Sequence, residues 1–243
     1  MLSRFSIAFP DLPIPKEAHP GEKADLSLAP GGLASITDHG WFASVNDTAD
    51  RNFSLEKAVE TMRAKGILPA KNRTDVAEGI FESDTGEILM RTKQKQLVIR
   101  TPRSEIFVSP AGKSEEINAL KVLDSSVDSA VGLVAQDALP LKESRRMLLV
   151  YSTRAASEEM RLSGDEQTML YHGLTKVLLR TGILKAELKN DSENLEMYAL
   201  SLNGTRLEKI PLKKENGIWK IIIDTGKIKK EPAVFFEIKE GSK

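Results

Sequence analysis

Four acidic side chains, Glu78, Glu82, Asp84 and Glu87, lie close together in the sequence. Two carboxyl groups roughly 5–10 Å apart, one of them kept protonated by its surroundings, can cleave a glycosidic bond. Glu78 and Glu82, however, alternate with the apolar residues around positions 80–81, which is typical of exposed charges on a strand. We therefore predict no catalytic residue in this cluster and take Glu82, Asp84 and Glu87 as candidate binding residues.

The tripeptide Asp-Thr-Gly occurs twice, at residues 84–86 and 224–226. It is the signature of aspartic proteases, in which two carboxylates share one proton and activate a water molecule. Here Glu87 and Lys227 follow the glycines, where small side chains are usual, and the chain after Asp224 is too short to complete a protease lobe. Because Asp-Thr-Gly also forms ordinary turns, we favour a turn at both places.

Aromatic side chains that could stack on a ligand are scarce, since Phe, Trp and Tyr make up 5% of the chain. Trp41 and Phe42 stand together in an irregular stretch and are candidate binding residues, because large apolar rings are unfavourable in water. Trp219 lies in an alternating strand pattern and is predicted to belong to the core.

The composition excludes several kinds of site. The absence of cysteine rules out disulfides and thiolate ligands. Neither a pair of histidines at metal-binding spacing nor a calcium loop occurs, so we predict no metal ion and no cofactor. Lys and Arg total 35, as do Asp and Glu, which argues against nucleic acid as a partner. No stretch has the roughly 18 apolar residues of a membrane span.

One helix is well signalled. Ser54 can cap a helix over residues 55–65, in which Leu55, Val59 and Met62 share a face, and Gly66 can end it. A second helix is predicted near residues 114–123.

The rest of the chain, from about Val76, reads as short strands separated by turns. Asn203-Gly204 predicts a type I′ hairpin turn. Short strands about ten residues apart, with no helices between them, indicate an antiparallel sandwich or barrel. The predicted strands are 79–81, 88–90, 97–100, 106–108, 130–135, 147–151, 176–179, 183–188, 195–200, 206–211, 219–224 and 233–238.

An ordered series of turn-and-strand motifs resembles a known family. The series begins with Ser-Asp-Thr-Gly-Glu-Ile at 83–88 and Leu-Val-Ile-Arg-Thr-Pro-Arg at 97–103, and it continues through Val-Gly-Leu-Val at 131–134 and Ser-Arg-Arg-Met-Leu-Leu at 144–149. Over residues 66–240 it resembles the C-terminal β-domain of bacterial glycoside hydrolases and hydrolase-like proteins, whose catalytic part is a cellulase-type (β/α)8 barrel.

The predicted fold is mainly β: an antiparallel β-sandwich with an irregular N-terminal arm and one docked helix. Residues 1–65 are predicted as an arm or linker plus the helix, and residues 66–243 as the sandwich domain. A (β/α)8 barrel needs about 250 residues of alternating strand and helix, which this chain does not have. Residues 1–65 are then expected to be the end of a missing catalytic domain, or the chain is a relative that lost its barrel.

The resemblance implies a non-catalytic β-domain that supports polysaccharide processing or contacts a glycan. The implied partner is a missing catalytic barrel domain or a polysaccharide. An exported parent hydrolase would place the chain outside the cell or in the periplasm. The alternatives are a structural or protein-interaction β-domain and, less favoured, an aspartic protease.

Overall fold

The computed structural model describes residues 55–64, 66, 68–164, 168–228 and 231–241. The predicted arm over residues 1–50, with a candidate strand at 5–9 and the candidate residues Trp41 and Phe42, lies outside the described residues. Within the described part, the chain is mostly β with antiparallel sheets and a single α-helix, which confirms the predicted fold class.

Eighteen strands, one α-helix and one 3₁₀ helix follow each other along the described chain. The helix α1 spans Leu55–Ala64, and a short 3₁₀ helix spans Thr225–Lys227. The strands are β1 Ile80–Glu82, β2 Ile88–Arg91, β3 Gln96–Arg100, β4 Ser104–Ser109, β5 Glu115–Glu116, β6 Leu120–Ser125, β7 Ser129–Ala135, β8 Arg146–Ser152, β9 Ala155–Ser157, β10 Arg161–Leu162, β11 Met169–Tyr171, β12 Val177–Leu179, β13 Ile183–Leu188, β14 Leu195–Leu200, β15 Arg206–Ile210, β16 Leu212–Glu215, β17 Ile218–Asp224 and β18 Phe235–Glu240.

Chain contacts divide the molecule into two compact units, one ending at Lys95 and one beginning at Gln96. The first contains α1 and the β1–β2 hairpin. Val59 and Met62 of α1 are buried and pack with Leu68. Gly66 adopts a left-handed φ of +69° just beyond the helix, and its amide donates to the Arg63 carbonyl. The predicted helix and its glycine stop are therefore confirmed.

The second unit contains two main antiparallel sheets. Within this unit the larger sheet has the strand order β3-β4-β7-β8-β18-β14-β15, and the smaller sheet has the order β16-β17-β13-β6-β5. Two further ribbons of two strands each, β9 with β12 and β10 with β11, lie between β8 and β13 in sequence.

Each main sheet has one buried apolar face. In the larger sheet, Leu149 of β8 lies opposite Leu133 of β7 and Phe236 of β18, and all three are fully buried. In the smaller sheet, Ala186 of β13 lies between Val122 and Ile221. The side-chain period of two along a strand produces this alternation. Burying each large aliphatic or aromatic side chain contributes about 1.5–3 kcal/mol.

Hydrogen bonds join the two main sheets across this core. The Tyr151 hydroxyl of the larger sheet lies 2.9 Å from the Ser125 hydroxyl of the smaller sheet. The Glu105 carboxylate of β4 accepts the backbone amides of Ala119 and Leu120 at 3.0 and 2.7 Å. Together with the inward apolar faces, these bonds define the sandwich.

The second predicted helix, near residues 114–123, is wrong, because β5 and β6 occupy this segment. The amides of residues 118–120 donate to the Glu105 carboxylate, and β6 pairs with β13. Since helical bonding would need the same amides and carbonyls, these long-range bonds prevent a helix here.

Candidate functional site

Glu82 is a structural residue in a position predicted to be exposed. Its side chain at the end of β1 is buried, with only 8% of the residue exposed. The Arg73 amide donates to Oε2 at 2.7 Å, and Arg73 Nε donates to Oε1 at 2.9 Å. The predicted solvent-facing position of Glu82 is therefore wrong, because Arg73 compensates the buried charge.

The two Asp-Thr-Gly segments both form turns, as the sequence predicts. In the β1–β2 hairpin, the Thr85 amide donates to Asp84 Oδ1 at 2.9 Å, and Gly86 has a φ of +73°. At the end of β17, Asp224 Oδ1 accepts the Gly226 amide at 3.1 Å and so caps the 3₁₀ helix. Glu87 follows the first of these turns.

The structure brings Glu82, Asp84 and Glu87 to one hairpin, while Trp41 and Phe42 lie outside the described residues. That these five residues bind a ligand stays a prediction. Among the described residues, no cluster of three or more acidic or histidine side chains is arranged to hold a metal ion. The described α-helix is too short and too polar to cross a membrane.

Among the described residues, six of the eleven exposed large apolar side chains lie in the region of β9, β10, β11 and β12, which we call the β-arm (residues 155–164 and 168–179). β9 pairs with β12, and β10 pairs with β11, so the second ribbon lies inside the first in sequence. Neither ribbon has a third strand within the described chain, so each strand keeps one unpaired edge.

Large apolar side chains of the β-arm face water. Met169 and Leu170 are neighbours on β11, and 60% and 66% of their surfaces are exposed. Because successive residues on a strand point to opposite faces, both faces of β11 are open to solvent. Val177 on β12 is 62% exposed. Groups of exposed apolar residues are typical of interaction surfaces.

The two ribbons of the β-arm meet at Gly173. Its φ is +82°, and a β-carbon at this position would lie 2.8 Å from the Met160 amide nitrogen. The Leu174 amide donates to the Glu158 carbonyl at 2.7 Å, and the Glu158 amide donates to the Lys176 carbonyl at 2.8 Å. These bonds give the β-arm a defined shape.

A second candidate site lies on the face of the larger sheet opposite the core. Glu237 of β18 is nearly buried, with 9% of its side chain exposed. Arg146 of β8 donates from Nε to Oε1 at 2.9 Å, and Arg206 of β15 donates from Nε to Oε2 at 2.8 Å. We call these three residues the arginine–glutamate cluster.

Burial and the neighbouring arginines shift the pKa of the Glu237 carboxyl in opposite directions. Burial raises the pKa of its carboxyl, but the hydrogen bonds and charges of Arg206 and Arg146 outweigh burial and hold that pKa below the usual value. The carboxylate is therefore ionised at neutral pH. Arg206 also lies over the Tyr198 ring, with 4.7 Å between the guanidinium carbon and the ring centroid.

A concavity of about 610 Å³ adjoins the arginine–glutamate cluster. Polar side chains of Gln136 and Thr205 and apolar side chains of Leu148 and Leu200 line it beside the two arginines. Its size suits a small ligand. Sequence reasoning missed this site, because Arg146 and Glu237 are 91 residues apart and only the sheet register brings them together.

A larger groove, of about 820 Å³, is lined by residues of the smaller sheet and by residues 208–210 of β15 in the larger sheet. Ile222 of β17 is exposed in it. The ion pairs Lys220–Glu187 and Lys227–Asp224 neutralise several of its charges. The groove is therefore amphipathic, without a dominant sign of charge.

The fold and these surfaces define a mainly β protein of antiparallel sheets. No family model matches the chain, and no solved structure matches it. Among curated proteins, elongation factor Ts of Rhodococcus erythropolis is 26% identical over 128 residues, which cover 49% of this chain and 46% of that protein. Elongation factor Ts of Rhodococcus jostii is 29% identical over 110 residues, covering 41% and 40%. The chain thus spans less than half the length of these curated relatives.

These similarities overturn the functional prediction made from sequence. The prediction of a glycoside-hydrolase-type β-domain acting in carbohydrate metabolism is wrong, because the curated proteins that match are elongation factors. The predicted partners, a catalytic barrel and a polysaccharide, are wrong for the same reason. The physical reason is that strand-and-turn motifs recur in many antiparallel sandwiches, so their order carries little functional information. The resemblance in fold to that β-domain stays a prediction.

Proposed function

We propose that this chain is a protein-binding module that acts in translation elongation, with the β-arm as its binding surface. The similarity to proteins named elongation factor Ts supports the process. The observation that supports the mode of action is the exposure of Met169 and Leu170 on opposite faces of one short strand.

A protein partner fits the β-arm better than a small ligand does. The unpaired strand edges offer backbone donors and acceptors, which an extended segment of a partner can satisfy by adding a strand. A segment added to the β10–β11 ribbon can then bury Met169 and Leu170 on its two faces, and Val177 of the β9–β12 ribbon offers a further apolar contact. Methionine adapts to irregular apolar surfaces, which suits such contacts.

The test measures binding of the full chain to each purified protein of a reconstituted elongation system, together with the rate of peptide synthesis. A double variant, Met169→Ser with Leu170→Ser, removes the apolar side chains from β11. We expect its affinity for the partner to fall at least tenfold, or about 1.4 kcal/mol, because exposed anchors of this size carry much of the binding energy.

Leu202→Ser is the matched control, because Leu202 is even more exposed, at 78%, but lies in the β14–β15 turn. It should bind as the unmodified chain does. Absence of binding to every component of the system would overturn the role in elongation. Self-association that the double variant abolishes, without any other partner, would instead assign the β-arm to a second copy of the chain.

A further inference from the structure

We propose that the arginine–glutamate cluster is a binding site for a small organic oxyanion, a phosphate monoester or carboxylate with an apolar body. This inference is independent of the proposed role of the β-arm in protein binding. It rests on the donors that the cluster leaves available, on the surrounding charge and on the shape of the adjoining concavity.

The geometry of the cluster leaves guanidinium donors free for a ligand. Arg146 gives its Nε–H to Glu237, while Arg206 gives its Nε–H and one Nη2–H. A guanidinium carries five N–H donors. Among the described residues, no further side-chain hydrogen bond of Arg146 or Arg206 occurs, so most of their donors can meet a ligand.

Glu237 positions the two arginines. Because its two oxygens each hold one guanidinium, the carboxylate fixes Arg146 and Arg206 on either side of itself before any ligand arrives. Preorganised arginines lose less side-chain entropy on binding. Charge-assisted hydrogen bonds from guanidinium to phosphate or carboxylate are among the strongest polar contacts in proteins.

The charge around the site favours an anion. Two cations and one carboxylate form the cluster, which leaves one positive charge. On the same face of the sheet, Lys209 pairs with Glu196 at 2.7 Å, and Lys239 lies opposite Glu196 on the neighbouring strand. The described outer face of β8, β18, β14 and β15 thus has more cations than carboxylates.

The lining of the concavity indicates what the rest of the ligand is. Leu148 and Leu200 form apolar walls beside the guanidinium groups, while Gln136 and Thr205 can bond to polar atoms. An inorganic ion would use the arginines alone. A ligand with an apolar body next to its oxyanion would also bury the leucines, and we expect it to bind more tightly.

The test titrates the full chain with phenyl phosphate, benzoate, inorganic phosphate and the neutral benzyl alcohol, following arginine Nε–H resonances by NMR. We expect saturable shifts of the Arg146 and Arg206 signals with the first two compounds and much weaker ones with inorganic phosphate. Preference between phenyl phosphate and benzoate identifies the oxyanion. Benzyl alcohol should not bind.

Arg146→Gln and Arg206→Gln should each weaken binding roughly tenfold to 100-fold, since each removes charge-assisted hydrogen bonds. Arg145→Gln is the matched control, because Arg145 neighbours Arg146 in sequence but approaches Glu240 instead, at 3.7 Å. It should bind as the unmodified chain does, and circular dichroism checks that each variant is folded. The proposal fails if no oxyanion binds at millimolar concentration, or if Arg145→Gln weakens binding as much as Arg146→Gln does.

Discussion

Three glutamates with little exposed surface are compensated in three different ways. Arg73 binds Glu82 through its guanidinium and its amide, and Arg146 and Arg206 bind Glu237 through their guanidinium groups. Glu105, which is only 2% exposed, accepts backbone amides of residues 118–120. These arrangements differ in purpose: the Glu105 carboxylate joins the two main sheets, while the Glu237 carboxylate holds arginines at a surface.

The role of Glu105 leads to a prediction at the scale of a single residue. Glu105→Gln should destabilise the fold by about 1.5–3 kcal/mol, because one acceptor oxygen becomes an NH₂ group that faces backbone donors. Urea unfolding measures the change. Glu143→Gln, at an exposed position in a turn, should leave the unfolding midpoint nearly unchanged. If the two variants lower the free energy of unfolding equally, the hydrogen bonds of Glu105 between the sheets do not stabilise the fold.

Two Asn-Gly pairs show how far a turn can be predicted from sequence. At Asn203-Gly204 the predicted type I′ turn is wrong, because only Gly204 has a left-handed φ, and the hairpin contains a bulge near Leu200. Asn216-Gly217, which drew no prediction, has φ values of +51° and +79° and joins β16 to β17 in a two-residue turn. The dipeptide permits this turn, and the strand register selects it.

At the scale of the elements, the β-arm depends on the close approach of its two ribbons at Gly173. Gly173→Ala should disorder the β-arm, because alanine rarely adopts a positive φ and because its β-carbon would clash with the Met160 amide. Hydrogen exchange should become faster for the amides of Glu158 and Leu174, which bond across this junction. Amides of β8 and β13 should keep their protection, since those strands belong to the main sheets.

Gly164→Ala is the matched control in the same arm, because the space around a β-carbon there is open and its φ is not left-handed. It should leave hydrogen exchange in the β-arm unchanged. If Gly173→Ala also leaves it unchanged, the junction can adjust and does not determine the shape of the arm.

Strong apolar alternation made most strands predictable. Residues 130–135, 147–151, 183–188 and 195–200 were predicted as strands and lie in β7, β8, β13 and β14. β9 is Ala-Ala-Ser and β10 is Arg-Leu, and segments of three and two residues are too short to show a strand pattern. Pairing with β12 and β11 makes them strands, and such pairing cannot be read from a short segment.

At the scale of the whole molecule, the net charge of zero does not indicate that neighbouring groups stabilise the ionised form of several carboxylates. Hydrogen bonds from Lys189 and Lys209 lower the pKa values of Glu116 and Glu196. At Asp137 and Glu237, burial raises the carboxyl pKa, but hydrogen bonds outweigh it and leave the pKa lowered.

The molecule should therefore lose stability in acid. The unfolded chain, with a glutamate pKa near the ordinary 4.5, takes up protons at a higher pH than the folded chain does. The stabilisation is complete above that value and declines as the pH falls through the lower folded pKa values. Urea unfolding between about pH 6 and pH 3 should show this decline.

Glu237→Gln removes one of these groups and should show a shallower loss of stability between the same pH values. Its unfolding free energy at pH 6 should be lower than that of the unmodified chain, and the two should converge in acid. Parallel pH profiles would mean that Glu237 does not stabilise the fold through its charge.

The fold class could be predicted from sequence, but neither candidate site could. The arginine–glutamate cluster joins β8, β15 and β18, which are far apart in the chain. The exposure of Met169 and Leu170 could not be predicted either, because a pair of apolar residues has the same sequence pattern in a buried strand and in a solvent-exposed one. The predicted binding residues in the first hairpin followed local charge instead.

A two-stranded ribbon with unpaired edges can aggregate as well as bind a partner. Unpaired edges beside apolar side chains are templates on which identical chains can stack into fibrils. Arg161 of β10 and Lys176 beside β12 place charged side chains at the edges of the β-arm, where they can act as gatekeepers against such stacking. Replacing both with uncharged residues should therefore make concentrated solutions of this protein more prone to fibril formation.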